Sequence, residues 1–355
     1  MKPVFDAHVH YLMKTPVKDS IYSYSEMMKL TGTQKLLFLS IVDLEQIDFT
    51  QNLKGLFYKN YFASDAYAFA SLEPQENIQE EALSKNYLSQ AEKFMSVGFD
   101  GMKMLQGKPS KRRTSKYKLS DKVYDRFYSF MEETGFPITM HNADPIEMWD
   151  LSNASSYAIE HGWVCDGNDL TQMQMIEDVF EVLKKHPKLH LTLAHFGFLG
   201  KEKELAKKFL GDYEYTMFDM TPAYEEYSHM SFDLEFWVNF ITLYSDRFKY
   251  GTDGENFDIN GAQPWEESTV IMPNLIRTWC ETDKEFEFLG YKMRGAKFSQ
   301  EVLDKLYMKN ALNELKDPKK IDFNFVLGEI ERLKKLYIND VFKSSDLDYV
   351  MENFR

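Results

Sequence analysis

The feature that most restricts the fold of this chain is an alternation repeated eight times. Each repeat is a short run rich in β-branched and aromatic residues followed by a longer segment with apolar residues three and four apart. The short runs fall at 3–10, 36–41, within 62–72, and at 98–105, 137–141, 190–195, 215–220 and 248–253. The longer segments include 78–95, 121–134, 171–185, 201–210 and 233–244. Strands joined through helices must run parallel and be covered on the outside, and eight such units favour closure into a barrel over an open sheet. The expected fold is therefore an α/β, (β/α)8 TIM-like barrel over residues 1–316, followed by a helical extension at 317–355. In that extension Phe323, Val326, Leu327, Ile330, Leu333 and Leu336 recur at helical spacing. Two connections, 142–168 and 254–299, exceed what a barrel needs and follow strands five and eight, so they are expected to project as lids over the catalytic face.

Composition excludes several roles. Lys and Arg number 42 against 56 Asp and Glu, a net charge of −14 that repels nucleic acid and anionic membrane surfaces. The partner expected instead is a small molecule, with a homodimer as the commonest assembly. The two cysteines, Cys165 and Cys280, have neither disulfide-framework nor CxxC spacing, which suits a reducing cytoplasm. No run approaches a membrane span, and the first ten residues lack the apolar core of a signal peptide.

Against that frame the histidines stand out. Of eight, His8, His10, His141 and His195 end predicted strands, and so does Asp253. Alternation along the first strand places Val4, Asp6, His8 and His10 on the face toward the barrel axis, and Phe5, Ala7 and Val9 toward the helices. Imidazole and carboxylate converging on one rim suit Zn2+ or a similar divalent ion, with room left for water. Lys103 ends the fourth strand. After it, GKPSKRRTSKYK concentrates Lys108, Lys111, Arg112, Arg113, Lys116 and Lys118 on an otherwise acidic protein. Arg112 and Arg113 are the expected grips on a substrate carboxylate, because a guanidinium binds it bidentately. His186 and His190 read as structural, while His229 and Trp163 read as loop packing.

The ordered set DAHVH, MKML, ITMH, LAHFG and YGTD resembles the amidohydrolase superfamily. Within it, GFDGMKML, FPITMHNADP, HPKLHLTLAHFG and LYMKNALNEL are similar to the amidohydrolase 2 branch that contains aminocarboxymuconate-semialdehyde decarboxylase and pyrone-dicarboxylate lactonase. The resemblance implies one ion, Zn2+ with Mn2+ as the alternative, held by His8, His10, His141 and Asp253, with His195 beside the substrate. It implies a hydrolase acting on a small carboxylate-bearing amide, lactone or related carbonyl compound. Asp253 would serve as base and His195 would steady the carbonyl. Decarboxylation or other lyase chemistry on the same ion is the alternative. Lys103 is expected as a free amine near the substrate carboxylate, not as a carbamate bridging two ions.

Overall fold

The structure is a computed structural model describing residues 1–11, 15–42, 50–73, 75, 78–152, 154, 156–160, 162–254 and 265–354. Eight parallel strands form one sheet in sequential order: β1 Val4–Val9, β2 Thr33–Leu39, β3 Ala66–Ser71, β4 Gly101–Met104, β5 Ile138–Met140, β6 Leu191–Leu193, β7 Thr216–Asp219 and β8 Phe248–Lys249. Every predicted strand is present. β4 and β6 have half their expected length, and β8 is the shortest, because beyond Lys249 the chain transfers its hydrogen bonds from β7 to β1. Ala7 N donates to Tyr250 O at 2.9 Å, Asp253 N to His8 O at 3.0 Å and His10 N to Gly254 O at 2.7 Å. This seam joins the first and last strands and makes the (β/α)8 barrel.

The predicted helices appear as Glu80–Val97, Asp125–Thr134, Gln172–Lys185, Lys203–Asp212 and Leu234–Leu243. Their starts follow side-chain capping where the sequence supplies it. Thr171 and Gln174 form a reciprocal capping box on Gln172–Lys185, and Asp233 accepts from Phe236 N on Leu234–Leu243. Residues 254–299 are less of a lid than expected. The helix Trp265–Glu281 occupies the eighth helical place and buries Leu275, Ile276, Trp279 and Cys280 in the main core, while Glu285–Phe288 and Tyr291–Arg294 pair as a hairpin. Pro273 inside that helix is why it does not read as one in the sequence. Residues 255–264 of the expected lid lie outside the described residues. The extension is two helices, Phe323–Leu336 and Val341–Asn353, where one was expected.

The first strand departs from simple alternation. Its register with β2 slips by one residue between Asp6 and Val9, a bulge that leaves β1 with an extra residue. Ahead of the bulge the phase is already opposite to that expected: Phe5 and Ala7 pack inside the barrel with Leu37, Leu39, Tyr67 and Phe69, whereas Val4 and, past the bulge, Val9 join Leu36 and Phe38 in the outer core. The expected outward placement of Phe5 and Ala7 is thus corrected. The bulge resets the phase so that both His8 and His10 still face the mouth.

The barrel floor is closed by the helix Asn310–Leu315, whose Ala311 and Leu315 pack beneath Phe5 and Tyr67. Asn310 Nδ2 donates at 2.7 Å to both Ser245 O and Phe248 O, and Lys249 Nζ pairs with Glu314. Close approach inside the floor also requires glycine at 101, since a Cβ there would lie 2.4 Å from the Phe69 ring and 2.6 Å from Pro137 O. Asn310→Ala strands two buried carbonyls and is expected to destabilise the protein by about 1 to 3 kcal/mol for each. A denaturant midpoint unchanged from wild type would contradict this.

Candidate active site

His8 and His10 leave the bulged end of β1 with their rings edge to face, centroids 4.8 Å apart. Each ring is oriented from behind by an acceptor that has no hydrogen of its own. Asp219 Oδ2 lies 2.7 Å from His8 Nδ1, and Leu39 O lies 2.8 Å from His10 Nδ1. Both Nδ1 atoms must therefore carry the proton, which leaves both Nε2 atoms as lone-pair donors. Those two atoms face one another at 3.0 Å, and Asp253 Oδ1 lies 3.4 Å from the first and 3.3 Å from the second. Three electron-rich atoms at such spacing repel unless a cation sits among them. The separation matches neighbouring ligands of a tetrahedral ion with bonds of about 2.0–2.1 Å, which stand roughly 3.4 Å apart. The donor set therefore fits a divalent metal ion.

His195 joins this group from β6: its donor atom, those of His8 and that of Asp253 all lie within 4.8 Å of one another. Its Nδ1 is buried with no hydrogen-bond partner, the expected condition of a group whose ligand is missing. Burial pushes the imidazoles down, His8 to about 3 and His195 to about 4, aided at His8 by the Lys103 amine, so both are neutral near pH 7. Burial opposes the charge on Asp219, but His8 beside it prevails and holds its carboxyl well below the usual range. Partial burial likewise opposes Asp253, yet the surrounding imidazoles of His10, His195 and His8 keep it ionised.

The backbone is strained where these groups are presented. His195, Phe196, Gly197 and Phe198 all have positive φ, between 53° and 64°, and Asp253 has φ 57°. Left-handed geometry costs a non-glycine residue on the order of 1–2 kcal/mol. Here the turn is held by His195 N donating to Asp219 Oδ1 at 2.8 Å and by the burial of both phenylalanines.

The remaining expected residues are placed differently. His141 packs on His195, centroids 5.0 Å apart, but its Nε2 lies 2.9 Å from Asp144 Oδ1, so it stands beside the donor triangle and not within it. Burial, with Lys108 nearby, pushes it down to about 4. Lys103 is buried under His8, its Nζ 3.2 Å from His8 Nε2, and desolvation lowers it to about 8. It does not line the open cavity. Arg113 is committed to Asp169 at 2.8 Å and to the carbonyls of Gly162 and Val164, strapping the loop after β5. Arg112 lines a separate cavity with Asp166 and Asp169. The sequence expectation that this arginine pair faces the substrate is thus not met: the cation of that loop facing the site is Lys108, which pairs with Asp144 at 2.7 Å and lies 4.5 Å over the Trp163 ring.

The cavity beside the donor triangle measures about 270 Å³. His10, His141, His195 and Asp253 line it, and Ile41, Leu105, Met148, Trp163, Phe198 and Tyr224 supply an apolar wall. Asp219 and Glu225 are functional candidates that sequence reasoning missed. Asp219 lies next to last in the predicted strand 215–220 and ends β7, and a carboxylate to orient a metal-facing histidine was the available signal.

A sequence model of the amidohydrolase family matches residues 90–313, more than half of the chain. The chain belongs to the amidohydrolase family. No curated protein matches this amidohydrolase significantly by sequence. Among solved structures it is similar to 2,6-dihydroxybenzoate decarboxylase from Rhizobium, with TM-score 0.54 and 13% identity over 89% of this chain and 99% of that one. A dihydroxybenzoic acid decarboxylase from Polaromonas, crystallised with manganese and 2-nitroresorcinol, gives 0.54 and 13% over 89% and 97%. The 4-oxalomesaconate hydratase of Rhodopseudomonas palustris gives 0.54 and 15% over 94% and 99%. At these identities the likeness is one of fold.

Asp219→Asn is expected to weaken binding of a divalent ion about 10- to 100-fold, since the carboxylate fixes the His8 tautomer and ring. Competition with a chromophoric chelator measures it, and unchanged affinity would detach Asp219 from this role.

Proposed function

We propose that this amidohydrolase is a metal-dependent lyase that decarboxylates a small planar carboxylate. The observation that carries the reading is the aromatic-walled cavity of about 270 Å³ lined by His10 and Asp253 of the donor triangle. A space at the small end of ligand cavities admits a single substituted ring or a short unsaturated acid. The structural neighbours lend support through their names, two being decarboxylases of dihydroxybenzoates and one a hydratase of 4-oxalomesaconate.

We assign His8, His10 and Asp253 as ligands of one divalent ion, Zn2+ or Mn2+, with His141 as the fourth through the nitrogen that Asp144 leaves uncommitted. Such an ion, when bound, supplies Lewis acidity to a substrate oxygen. His195 faces the substrate with its unpartnered Nδ1. Asp253, held ionised, takes a proton from a substrate hydroxyl or water and can return it to carbon. The pair of electrons from the broken carbon–carbon bond remains on that carbon as CO2 leaves, and the proton replaces it there. Lys103 is read as an uncarboxylated amine beneath His8, with one ion in the site. Residues 1–316 form the catalytic barrel and 317–355 pack on it, a division supported by Asp322 N donating to Val97 O and by the Lys54–Asp346 pair.

Hydrolysis of a carboxylate-bearing amide or lactone is the second reading, favoured by the same ionised Asp253, a base ready to accept the proton of an attacking water. No helix among the described residues is long and apolar enough to cross a membrane, which suits an enzyme acting on a small diffusible acid.

Incubating the metal-loaded protein with 2,6-dihydroxybenzoate and related hydroxybenzoates, and trapping released CO2, separates the readings. Decarboxylation is expected to stop on chelation and to return with Mn2+ or Zn2+. His141→Ala should lose metal, while His195→Ala should retain it and lose turnover. Ring-opened or hydrolysed product without CO2 would favour the second reading.

A further inference from the structure

Among the described acids of the cavity wall, Asp144 meets Lys108 and Asp253 meets the histidines, whereas Glu225 is paired with neither a cation nor an imidazole. It stands in the first turn of the helix Tyr224–Phe232, following β7, and is only 3% exposed. Among the described residues no other side chain hydrogen-bonds or ion-pairs with it. The groups near it are mostly acids or already engaged. On its own helix, Glu226 accepts from Gly200 N at 2.6 Å and lies 3.2 Å from His229 Nδ1. From the turn Ile146–Trp149, Glu147 faces His229 Nε2 at 2.9 Å and also receives Lys201 Nζ at 2.9 Å. His229 is thereby divided between two other carboxylates and is raised by them to about 9 against the effect of burial, so it brings its charge to Glu226 and Glu147 first. From the hairpin, Tyr291 contributes only a phenol, kept protonated chiefly by burial. Across the cavity, Lys108 is neutralised by Asp144, Asp253 is anionic, and His141 and His195 are neutral.

Buried beside two other acids, with only its own backbone N–H and a share of the His229 charge to favour ionisation, this carboxyl is better served by keeping its proton. Burial, with Glu226 and Glu147 adding to it, prevails over that N–H and His229 and raises this one to about 7. As an acid it is a hydrogen-bond donor on the wall of the cavity, opposite Lys108, whose charge is already met by Asp144. We propose that Glu225 is a substrate-recognition residue, its protonated carboxyl donating a hydrogen bond to an oxygen of an anionic substrate in the cavity. This rests on the reading of the substrate as a small carboxylate. It adds the condition that the anion binds together with the proton of Glu225, since the ionised form repels it.

Affinity is full where Glu225 is protonated and falls as pH rises through about 7, by up to about tenfold per pH unit.

The test is the binding of 2,6-dihydroxybenzoate to the metal-loaded protein from pH 6 to 8, followed by calorimetry in buffers of different ionisation enthalpy. Wild type is expected to take up a proton on binding near and above pH 7. Glu225→Gln, a donor at every pH, should bind with affinity within a fewfold of wild type at pH 6, with a flat profile to about pH 7.5 and no proton uptake. Glu225→Leu should bind about 10-fold or more weakly at pH 6, as for loss of a hydrogen bond to a charged group. Undiminished pH dependence and proton uptake in Glu225→Gln would overturn this proposal alone. A wild type that does not bind the anion at any pH would overturn it together with the anionic-substrate reading, whereas binding without CO2 release would count only against decarboxylation.

Discussion

The hydrogen bond from His8 Nδ1 to Asp219, 2.7 Å long and fully buried, is the interaction on which the rest of the centre depends. It connects β1 to β7 across the barrel mouth. The same carboxylate accepts from His195 N through its other oxygen, so one side chain sets the tautomer of one imidazole and the backbone position of another. An isolated carboxylate in that place would be costly to bury; three donors, the third being Thr221 N at 3.2 Å, make it tolerable. The lone pairs of His8 and His10 meet because their opposite nitrogens are both answered.

Closure of the barrel supplies the third donor atom. Asp253 reaches the histidines because the chain after β8 abandons β7 for β1, and Asp6 secures that seam. Asp6 Oδ1 accepts from Thr252 N at 3.0 Å and from His8 N at 3.2 Å, and Oδ2 accepts from the Thr252 hydroxyl. Burial pushes Asp6 up to about 7. Proton binding to a raised carboxyl contributes stability that is complete below its unfolded value near 4 and is lost as pH rises through 7. The seam and the metal-facing triangle are thus electrostatically opposed neighbours, the first relaxed by protonation and the second emptied by it.

The strands, five of the helices and the histidine-ended rim were legible because each depends on a local pattern that tertiary structure reinforces. What escaped depends on comparisons between distant segments. The bulge in β1 is a mismatch of register with β2, and nothing in VFDAHV announces it. Asp219 acquires meaning only once β7 stands beside β1. Trp265–Glu281 is hidden by Pro273, and the left-handed turn at His195 is marked only by Gly197. The arginine pair misled for a related reason: charge density in a loop says that anions will be met but not which ones, and Arg113 meets Asp169 of the neighbouring loop.

The floor of the barrel imposes an order on synthesis. Phe5 and Ala7 leave the ribosome near the start of translation, yet the side chains that cover them from below, Ala311 and Leu315, come about 300 residues later, in the same helix as the Asn310 that ties down the start of β8. Until that helix emerges, the nascent barrel presents an apolar interior at its base and a β1 edge without its β8 partner. Such surfaces are what chaperones bind and what aggregation exploits. At about 5–20 residues per second, the base of the barrel stays uncovered for most of the time the chain takes to be made.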